Sequence, residues 1–270
     1  MTPPRYPWFD RSKRREQLDD HIERERMTNF GFHRVAAQDK VRWVTRHFDR
    51  VAPKYDFMNT LLSFGIHHLW KRNAVRWMRL LEGDRVLDVC GGTGDLALLA
   101  ARAVGPRGHV VVCDINRAMM QAGRPKVASR GLEDRIRFVQ GDAERLAFPD
   151  ASFDAVMVGF GIRNVTRPQD ALNEAFRVLR PGGRLMVLEF SQLPNPAMQK
   201  ASDLYSFNVI PRMGQAIAGD RDSYQYLVES IRNFPDQETF LQMVRSAGFE
   251  NAKYRNLSMG IACLHSGWKL

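Results

Sequence analysis

The sequence predicts an α/β fold built on a mostly parallel sheet, and three observations support this. Short apolar segments alternate with helical patterns between residues 85 and 190, as is typical of consecutive βαβ units. The first apolar segment ends in a glycine-rich turn, residues 90–94, that leads at once into a helical pattern. The second ends in Asp114, at a spacing where an acidic residue usually binds ribose hydroxyls in Rossmann-type units.

Each element follows from its local pattern. The predicted strands of the parallel part are residues 85–90, 109–113, 135–140, 153–159 and 184–190, and the helices between them are residues 96–104, 118–129 and 171–179. Two short strands at 252–257 and 260–265 follow a helix at 238–247 and form an antiparallel hairpin at the sheet edge. The full prediction is a seven-stranded sheet with helices on both faces.

The N-terminal region divides into a tail and a cap. Residues 1–27 are charged and show no strong apolar period, which predicts a mobile tail. In residues 28–82, apolar side chains recur every three or four positions from Val41 to Val51, until Pro53 interrupts them, and a second helical pattern runs over 67–81. We therefore expect a helical cap there, within a domain that spans residues 28–270 and has an acceptor-covering insertion at 195–235.

Composition limits the class of protein. The 270 residues are 44% hydrophobic and carry a net charge of +10, which permits nucleic acid, an anionic membrane surface or no charged partner. The three cysteines lack C-x-x-C spacing, so neither a disulfide framework nor a zinc site is expected. We find no apolar run of the roughly 20 residues that a membrane-spanning helix needs, and no secretory or transit signal. The expected location is cytoplasmic.

The glycine pattern distinguishes between cofactors. A dinucleotide site would have the pattern G-x-G-x-x-G, whereas here Asp88 precedes Gly91, Gly92, Thr93 and Gly94. A carboxylate would repel a pyrophosphate but suits the cationic amino-acid end of S-adenosylmethionine. The spacing resembles the first motif of class I methyltransferases, many of which have glycine where Cys90 stands. The alternative is a glycine turn without a ligand.

Further candidates follow the next strands. Asp142 can accept the adenine amino group and Ala143 leaves room for the ring, although Asp142 could also cap a turn. Residues 159–165 lack the paired prolines typical of DNA amino-methyltransferases. Instead Arg163 can stabilise a phenolate and Asn164 can bind a hydroxyl or carbonyl. The alternative for Arg163 is a structural ion pair with a carboxylate at the sheet end, such as Glu189.

Two long segments resemble a known family. Residues 55–70, YDFMNTLLSFGIHHLW, and residues 177–191, RVLRPGGRLMVLEFS, resemble the two signatures of the ubiquinone/menaquinone biosynthesis C-methyltransferases. Arg180 stands where most members have lysine. The segments FGIRNV (160–165) and SYQYLVESIRNFPDQ (223–237) also fit, and the resemblance runs over residues 28–270.

The resemblance implies methyl transfer from S-adenosylmethionine, without a metal, to a ring carbon of a prenylated demethylquinol. Demethylmenaquinol is the favoured acceptor, and a benzoquinol stays open. The resemblance places Tyr55, Arg163 and Asn164 in the acceptor pocket. At Gly159 members commonly have a serine contact, which a backbone group or water would replace here. The full set of expected cofactor-binding residues is Asp88, Gly91, Gly92, Thr93, Gly94, Asp114, Asp142, Ala143 and Gly159.

The implied acceptor and the basic charge predict peripheral contact with an anionic membrane surface, and the resemblance makes other quinone-biosynthesis enzymes candidate partners. No nucleic-acid partner and no particular oligomeric state are predicted. Two competing functions remain. One is methylation of another lipid, a small phenol or RNA; the other is a protein that binds the cofactor without turnover.

Overall fold

The structure is a computed structural model that describes residues 27–270. The tail predicted for residues 1–27 therefore lies outside the described residues, apart from Met27. The strands of the described part are β1 (Met27–Phe30), β2 (His33–Ala36), β3 (Arg85–Val89), β4 (His109–Asp114), β5 (Ile136–Gln140), β6 (Phe153–Gly159), β7 (Leu179–Phe190), β8 (Glu250–Leu257) and β9 (Ala262–Trp268).

Helices flank these strands. They are α1 (Ala37–Val51), α2 (Tyr55–Leu62), α3 (Ile66–Met78), α4 (Asp95–Ala103), α5 (Arg117–Ala128), α6 (Pro168–Val178), α7 (Pro196–Asn208), α8 (Ile210–Met213), α9 (Arg221–Asn233) and α10 (Gln237–Ser246). Short helical turns lie at Ala52–Lys54, Ile162–Asn164, Gly214–Ala218 and Ser258–Gly260.

The main sheet has seven strands in the order β5-β4-β3-β6-β7-β9-β8. Strands β3 to β7 pair in parallel, while β9 runs antiparallel to both β7 and β8. The mostly parallel sheet with an antiparallel edge hairpin is thus confirmed. The chain leaves β3 toward β4 and β5 and then returns to its other side with β6. Ligands of such sheets bind at this reversal, beyond the carboxyl ends of the strands.

Alternate residues of the strands feed two cores. Val86 packs on one face of the sheet with α3 and α4, while Leu87 and Val89 pack on the other with α6 and α10. Side chains of a strand alternate between the faces, and both faces of β3 are apolar because helices cover both. The prediction of helices on both faces is confirmed.

The region before β3 contains more than the helices expected for residues 28–82. Strands β1 and β2 form an antiparallel hairpin, and the ring of Phe30 stacks on Tyr226 of α9 at 4.1 Å between ring centroids. Helix α3 ends at Met78, earlier than the predicted 81, because Arg79 adopts a left-handed φ of +48°. Helices α1 and α2 pack with α8 and α9 in a third apolar cluster that includes Val51, Met58 and Ile210.

Candidate active site

The parallel strands end at one edge of the sheet, and a cavity of about 830 Å³ opens there. Its lining includes the segments that follow β3, β4, β5 and β6. Helices α1, α2, α7 and α9 close the opposite side with Phe48, Met58, Tyr205 and Tyr224. The predicted cofactor and acceptor residues, with the exception of Gly94, therefore line one continuous space.

The turn after β3 needs an unusual backbone. Cys90, Gly92 and Gly94 have φ values of +53°, +53° and +77°, in the left-handed region that favours glycine. A Cβ on Gly91 would lie 2.8 Å from Cγ of Asp88. Gly94 directly precedes α4, so the unpaired N–H groups of the first helical turn lie at the cavity. Such a helix start is suited to a polar or anionic ligand group.

Asp88 is buried in β3 with one oxygen unused. Its Oδ2 accepts a hydrogen bond from the backbone N–H of Ala97 at 3.1 Å. Its Oδ1 has no hydrogen-bond partner within the described residues. Burial raises the pKa of Asp88 to about 8, and the nearby charge of Asp114 acts in the same direction. A cation beside Oδ1 would favour the ionised carboxylate.

The next two carboxylates follow β4 and β5. Asp114 accepts from the backbone N–H groups of Gly92 at 2.8 Å and Asn116 at 2.7 Å, and burial raises its pKa to about 6. Asp142 accepts from the backbone N–H of Glu144 at 2.9 Å, so it caps its own turn. Asp114, Asp142 and the buried Ala143 all line the cavity.

Gly159 ends β6 and also lines the cavity. A Cβ added at Gly159 would collide with the Cδ1 methyl of Leu96, in the first turn of α4. Leu96 therefore occupies the space that a serine side chain would need. The consequence is that a contact at this position can come only from the backbone of Gly159 or from solvent.

Thr93 forms hydrogen bonds with a cluster of charged side chains. Its Oγ1 donates to Asp56 at 2.8 Å and accepts from Nζ of Lys126 at 2.9 Å. Lys126 also contacts Asp56 and Asp95, both at 2.6 Å, and Lys71 binds the other oxygen of Asp95 at 2.7 Å. Burial alone would raise the pKa of Asp95, but the two lysines outweigh it and hold that pKa well below its usual range. We call Asp56, Lys71, Asp95 and Lys126 the lysine–aspartate network.

Arg163 lies on the Ile162–Asn164 turn and forms a buried ion pair. Its Nη1 lies 2.8 Å from Oε1 of Glu189, and both side chains are at most 5% exposed. Nη1 also donates to the carbonyl of Phe160. Its Nε is buried without an acceptor among the described residues. The structure thus contains the ion pair weighed as the alternative for Arg163, and the guanidinium still has donors to offer a ligand.

Asn164 and Tyr55 reach the same part of the cavity. The Oδ1 of Asn164 accepts from the hydroxyl of Tyr226 at 2.9 Å, which leaves the Asn164 amide N–H groups for other partners. His47 packs edge-on against Tyr226 at 4.7 Å between ring centroids, and burial lowers its pKa to about 4. Tyr55 begins α2 and lies edge-on to Phe48 at 6.1 Å.

Sequence reasoning missed the lysine–aspartate network and His47. Asp95 directly follows the glycine turn and Lys71 directly follows the first signature, but nothing in the pattern indicates that these two side chains meet. His47 lies on the apolar stripe of α1, where it is indistinguishable in sequence from a packed core residue.

Residues 27–270 contain neither a candidate metal site nor a candidate membrane-spanning helix. No group of three or more His, Cys, Asp or Glu side chains is arranged to hold a metal ion. No helix there combines the length and apolarity required to cross a membrane.

The sequence comparisons identify the family. Residues 34–269 match the ubiE/COQ5 methyltransferase family. The ubiquinone/menaquinone biosynthesis C-methyltransferase UbiE of Roseobacter denitrificans is 63% identical over 243 residues, which are 90% of this chain and 97% of that protein. UbiE of Hydrogenovibrio crunogenus is 49% identical over 250 residues, covering 93% of this chain and 98% of that protein.

The structural comparisons support the fold independently. An S-adenosylmethionine-dependent methyltransferase from Aquifex aeolicus superposes with a TM-score of 0.57 at 17% identity, covering 80% of this chain and 98% of that one. The [4+2]-cyclase SpnF superposes with a TM-score of 0.59 at 23% identity, covering 81% and 75%. Because the fold carries different chemistries, the family assignment rests on the sequence match, and on that basis the chain is a member of the ubiE/COQ5 methyltransferase family.

Proposed function

We propose that this protein transfers a methyl group from S-adenosylmethionine to a ring carbon of a prenylated demethylquinol, with demethylmenaquinol as the favoured acceptor. One observation carries the proposal. The glycine turn and strand-end carboxylates share a single cavity with a buried group of ring-oxygen donors, Arg163 and Asn164. A donor site and an acceptor site that meet in this way are what a direct methyl transfer needs.

The cofactor end fits the proposed methyl donor. The unpaired Oδ1 of Asp88 suits a cation, and the two oxygens of Asp114 suit a pair of ribose hydroxyls. Asp142 and Ala143 would meet the adenine. Gly91, Gly92, Thr93 and Gly94 allow close backbone approach, and Gly159 contributes backbone only. When bound, the cofactor supplies an activated methyl group, so these residues only bind and orient it.

The acceptor end would favour the reactive form of the quinol. Attack by a ring carbon is easier when an adjacent hydroxyl becomes a phenolate, and a guanidinium stabilises that charge. Glu189 fixes the Arg163 side chain by accepting from Nη1, and the remaining N–H groups would serve the ring oxygen. Asn164 would donate from its amide while Tyr226 holds its carbonyl. Tyr55 would pack against the ring.

An apolar wall of the cavity would bind the prenyl chain. The cavity continues between α1, α2, α7 and α9. Helix α7 contributes polar side chains there, at Gln199, Ser202, Asp203 and Ser206, while much of the remaining lining is aliphatic or aromatic. Burial of a prenyl chain against such a wall would contribute roughly 25 cal/mol per Å² of apolar surface. The residues that form this wall are Val44, Phe48, Val51, Met58, Phe207, Ile210 and Leu227.

We assign the membrane contact to one edge of the cavity. Phe64, Leu69 and Ile261 line it and are 85%, 55% and 37% exposed, and Met259 beside them is 69% exposed. A hydrogen bond of 2.9 Å from Trp70 to Ser258 holds the loop that carries Met259 against α3. We call Phe64, Leu69, Met259 and Ile261 the apolar rim. Its occupant would be the acyl region of the membrane that stores the prenylated acceptor.

The test is an acceptor panel with methyl-labelled S-adenosylmethionine. Reduced demethylmenaquinol, a reduced prenylated demethylbenzoquinol, an unprenylated naphthoquinol, a simple phenol and RNA are each offered to the purified protein. We expect label in the prenylated quinols and none in their oxidised forms, which lack the electron-rich carbon. Label in RNA or the simple phenol but in no quinol would overturn the proposal. Cofactor binding without transfer to any acceptor would support a binding protein instead.

A further inference from the structure

Lys71 is a buried cation at the cofactor end of the cavity. It lies on α3, is 8% exposed, and lines the cavity together with Asp88, Thr93 and Asp95. Its Nζ makes one hydrogen bond within the described residues, to Oδ2 of Asp95 at 2.7 Å. An ammonium group has three N–H donors, so two of them remain for a ligand.

Lys126 differs from Lys71 although both bind Asp95. Its Nζ donates to Asp56 at 2.6 Å, to Asp95 at 2.6 Å and to Thr93 at 2.9 Å. These three hydrogen bonds use all of its N–H groups, and Lys126 is not among the residues that line the cavity. Lys126 therefore organises the network, while Lys71 has unused donors next to open space.

The charges of the proposed cofactor indicate what the two unused N–H groups of Lys71 could bind. The amino-acid end of S-adenosylmethionine carries a sulfonium, an ammonium and a carboxylate, and Asp88 suits only the cations. Among the described cavity residues, Arg163 is paired with Glu189 and Arg232 with Asp203 at 3.7 Å. Desolvation lowers the pKa of His67 to about 4, so that ring is neutral. Lys71 is ion-paired as well, with Asp95, but its Nζ keeps two unused N–H groups and it lines the cavity together with Asp88 and Thr93.

The position of Lys71 fits the amino-acid end of the cofactor, which carries an ammonium and a carboxylate. Its positive charge is close enough to Asp88 to lower the pKa of that carboxyl, against the larger effect of burial. The cavity is thus lined both by a carboxylate acceptor for an ammonium, Asp88, and by an ammonium donor for a carboxylate, Lys71. Asp95 accepts from Lys71 on one oxygen and from Lys126 on the other, which holds the Lys71 head in place.

We propose that Lys71 binds the carboxylate of the methionine end of the cofactor, and that Asp95 positions it. This inference rests on the proposed function, because it assumes that S-adenosylmethionine occupies the cavity. It adds a binding residue to the cofactor site and explains why a lysine is buried beside the glycine turn.

The experiment compares two ligands by calorimetry. S-adenosylhomocysteine carries the amino-acid end, and methylthioadenosine has the same nucleoside without it. We expect Lys71→Met to weaken binding of S-adenosylhomocysteine at least about tenfold, as for loss of a hydrogen bond between charged groups, and to change methylthioadenosine binding less than about twofold. Lys71→Gln, which keeps a donor to Asp95, guards against a folding defect and should show the same selective loss.

Lys126→Met is the matched control, because it breaks the same network without removing a cavity donor. Any change in the ratio of the two affinities should be smaller in this variant than in either Lys71 variant. An unchanged ratio of the two affinities in both Lys71 variants would overturn the inference and leave the proposed function intact. Failure of the wild-type protein to bind either ligand would overturn the proposed function and the inference with it.

Discussion

The buried carboxylates of β3 and β4 favour different protonation states in the free and the ligand-bound protein. In the free protein, burial favours the neutral form of Asp88, whose pKa rises to about 8. A bound sulfonium or ammonium would favour the charged form. In the proposed function the cationic end of the cofactor would stabilise the ionised carboxylate of Asp88. In the ligand-free protein, Asp88 should leave a signature in the pH dependence of folding.

The sign of that signature follows from proton binding. Between its ordinary value of 3.8 and about 8, Asp88 keeps its proton in the folded protein and loses it on unfolding. Rising pH therefore favours unfolding, and the stability contributed by the neutral Asp88 is complete below the lower value and lost by the upper one. We expect Asp88 to lower the free energy of unfolding by about 1 kcal/mol between about pH 7 and about pH 8.

Urea unfolding of the ligand-free protein across this range tests the prediction. The range lies above the pKa of Asp114, about 6, and above those of the buried His47 and His67, about 4. Lys40, whose pKa burial lowers to about 8, titrates in the same range with the opposite effect on stability, so the contribution of Asp88 is the difference between the wild type and Asp88→Asn. Asp88→Asn, which cannot ionise, should show a flatter dependence. An equal slope for the variant and the wild type would contradict the role assigned to burial of Asp88.

Some site residues were predictable from the sequence and others were not. The location of Asp88, Asp114 and Asp142 could be predicted because parallel strands end at the same edge of a sheet. The pairing of Arg163 with Glu189 could be considered because Arg163 follows β6 and Glu189 lies near the end of the neighbouring strand β7. The contact between Lys71 and Asp95 depends on how α3 packs beside α4, and local patterns do not specify helix packing.

At the scale of elements, the turn after β3 and the turn after β6 share a tight contact. Cys90 adopts a left-handed φ of +53°, and a Cβ on Gly161 would overlap the Cβ of Cys90. Gly161 itself has an ordinary negative φ of −120°, so an alanine there meets only the steric obstacle. This contact fixes the position of the glycine turn relative to the turn that carries Arg163.

We therefore expect Gly161→Ala to destabilise the protein by about 1–3 kcal/mol, as typical overpacking does. Cys90→Gly removes the colliding Cβ and relieves the left-handed strain. Combined with Gly161→Ala, it should recover at least about 1 kcal/mol, the coupling expected of residues in contact. Chemical unfolding of both single variants and the double variant measures this. Strictly additive costs would show that the two turns do not touch as described.

The predictability of the elements follows from their length and context. The five parallel strands are apolar runs bounded by glycine or polar residues, so their existence was evident. Strands β1 and β2 have only four residues each and depend on packing of Phe30 against Tyr226, a contact made far along the chain. Their sequence contains no sustained alternation, and the region was therefore predicted as helical.

At the scale of the whole molecule, one cavity connects the strand-end carboxylates, the apolar wall and the apolar rim. Phe64 of the rim and the adjacent Gly65 adopt left-handed φ values of +50° and +75°. The chain carries a net charge of +10. Together these features suit a protein that meets an anionic membrane at its acceptor entrance.

We expect stronger binding to anionic phosphatidylglycerol vesicles than to neutral phosphatidylcholine vesicles, and a decline with added salt. Replacing both Phe64 and Met259 by serine should weaken vesicle binding about tenfold or more, because each buried apolar side chain contributes roughly 1.5–3 kcal/mol. Leu81→Ser is the matched control, since Leu81 is 62% exposed but is not part of the apolar rim. Flotation that is equal for the rim variant and this control would contradict the assignment.

The most direct test of methyl transfer in this cavity separates cofactor binding from turnover at Arg163. Single-turnover transfer from labelled S-adenosylmethionine to reduced demethylmenaquinol is measured beside calorimetry of cofactor binding. Arg163→Met combined with Glu189→Gln removes both buried charges, so neither is left unpaired. We expect cofactor affinity within about twofold of wild type and methyl transfer slower by two or more orders of magnitude, as for loss of a donor to a developing oxyanion worth about 2.7–4 kcal/mol. A folded variant that binds the cofactor normally and still methylates at the wild-type rate would contradict the acceptor role of Arg163.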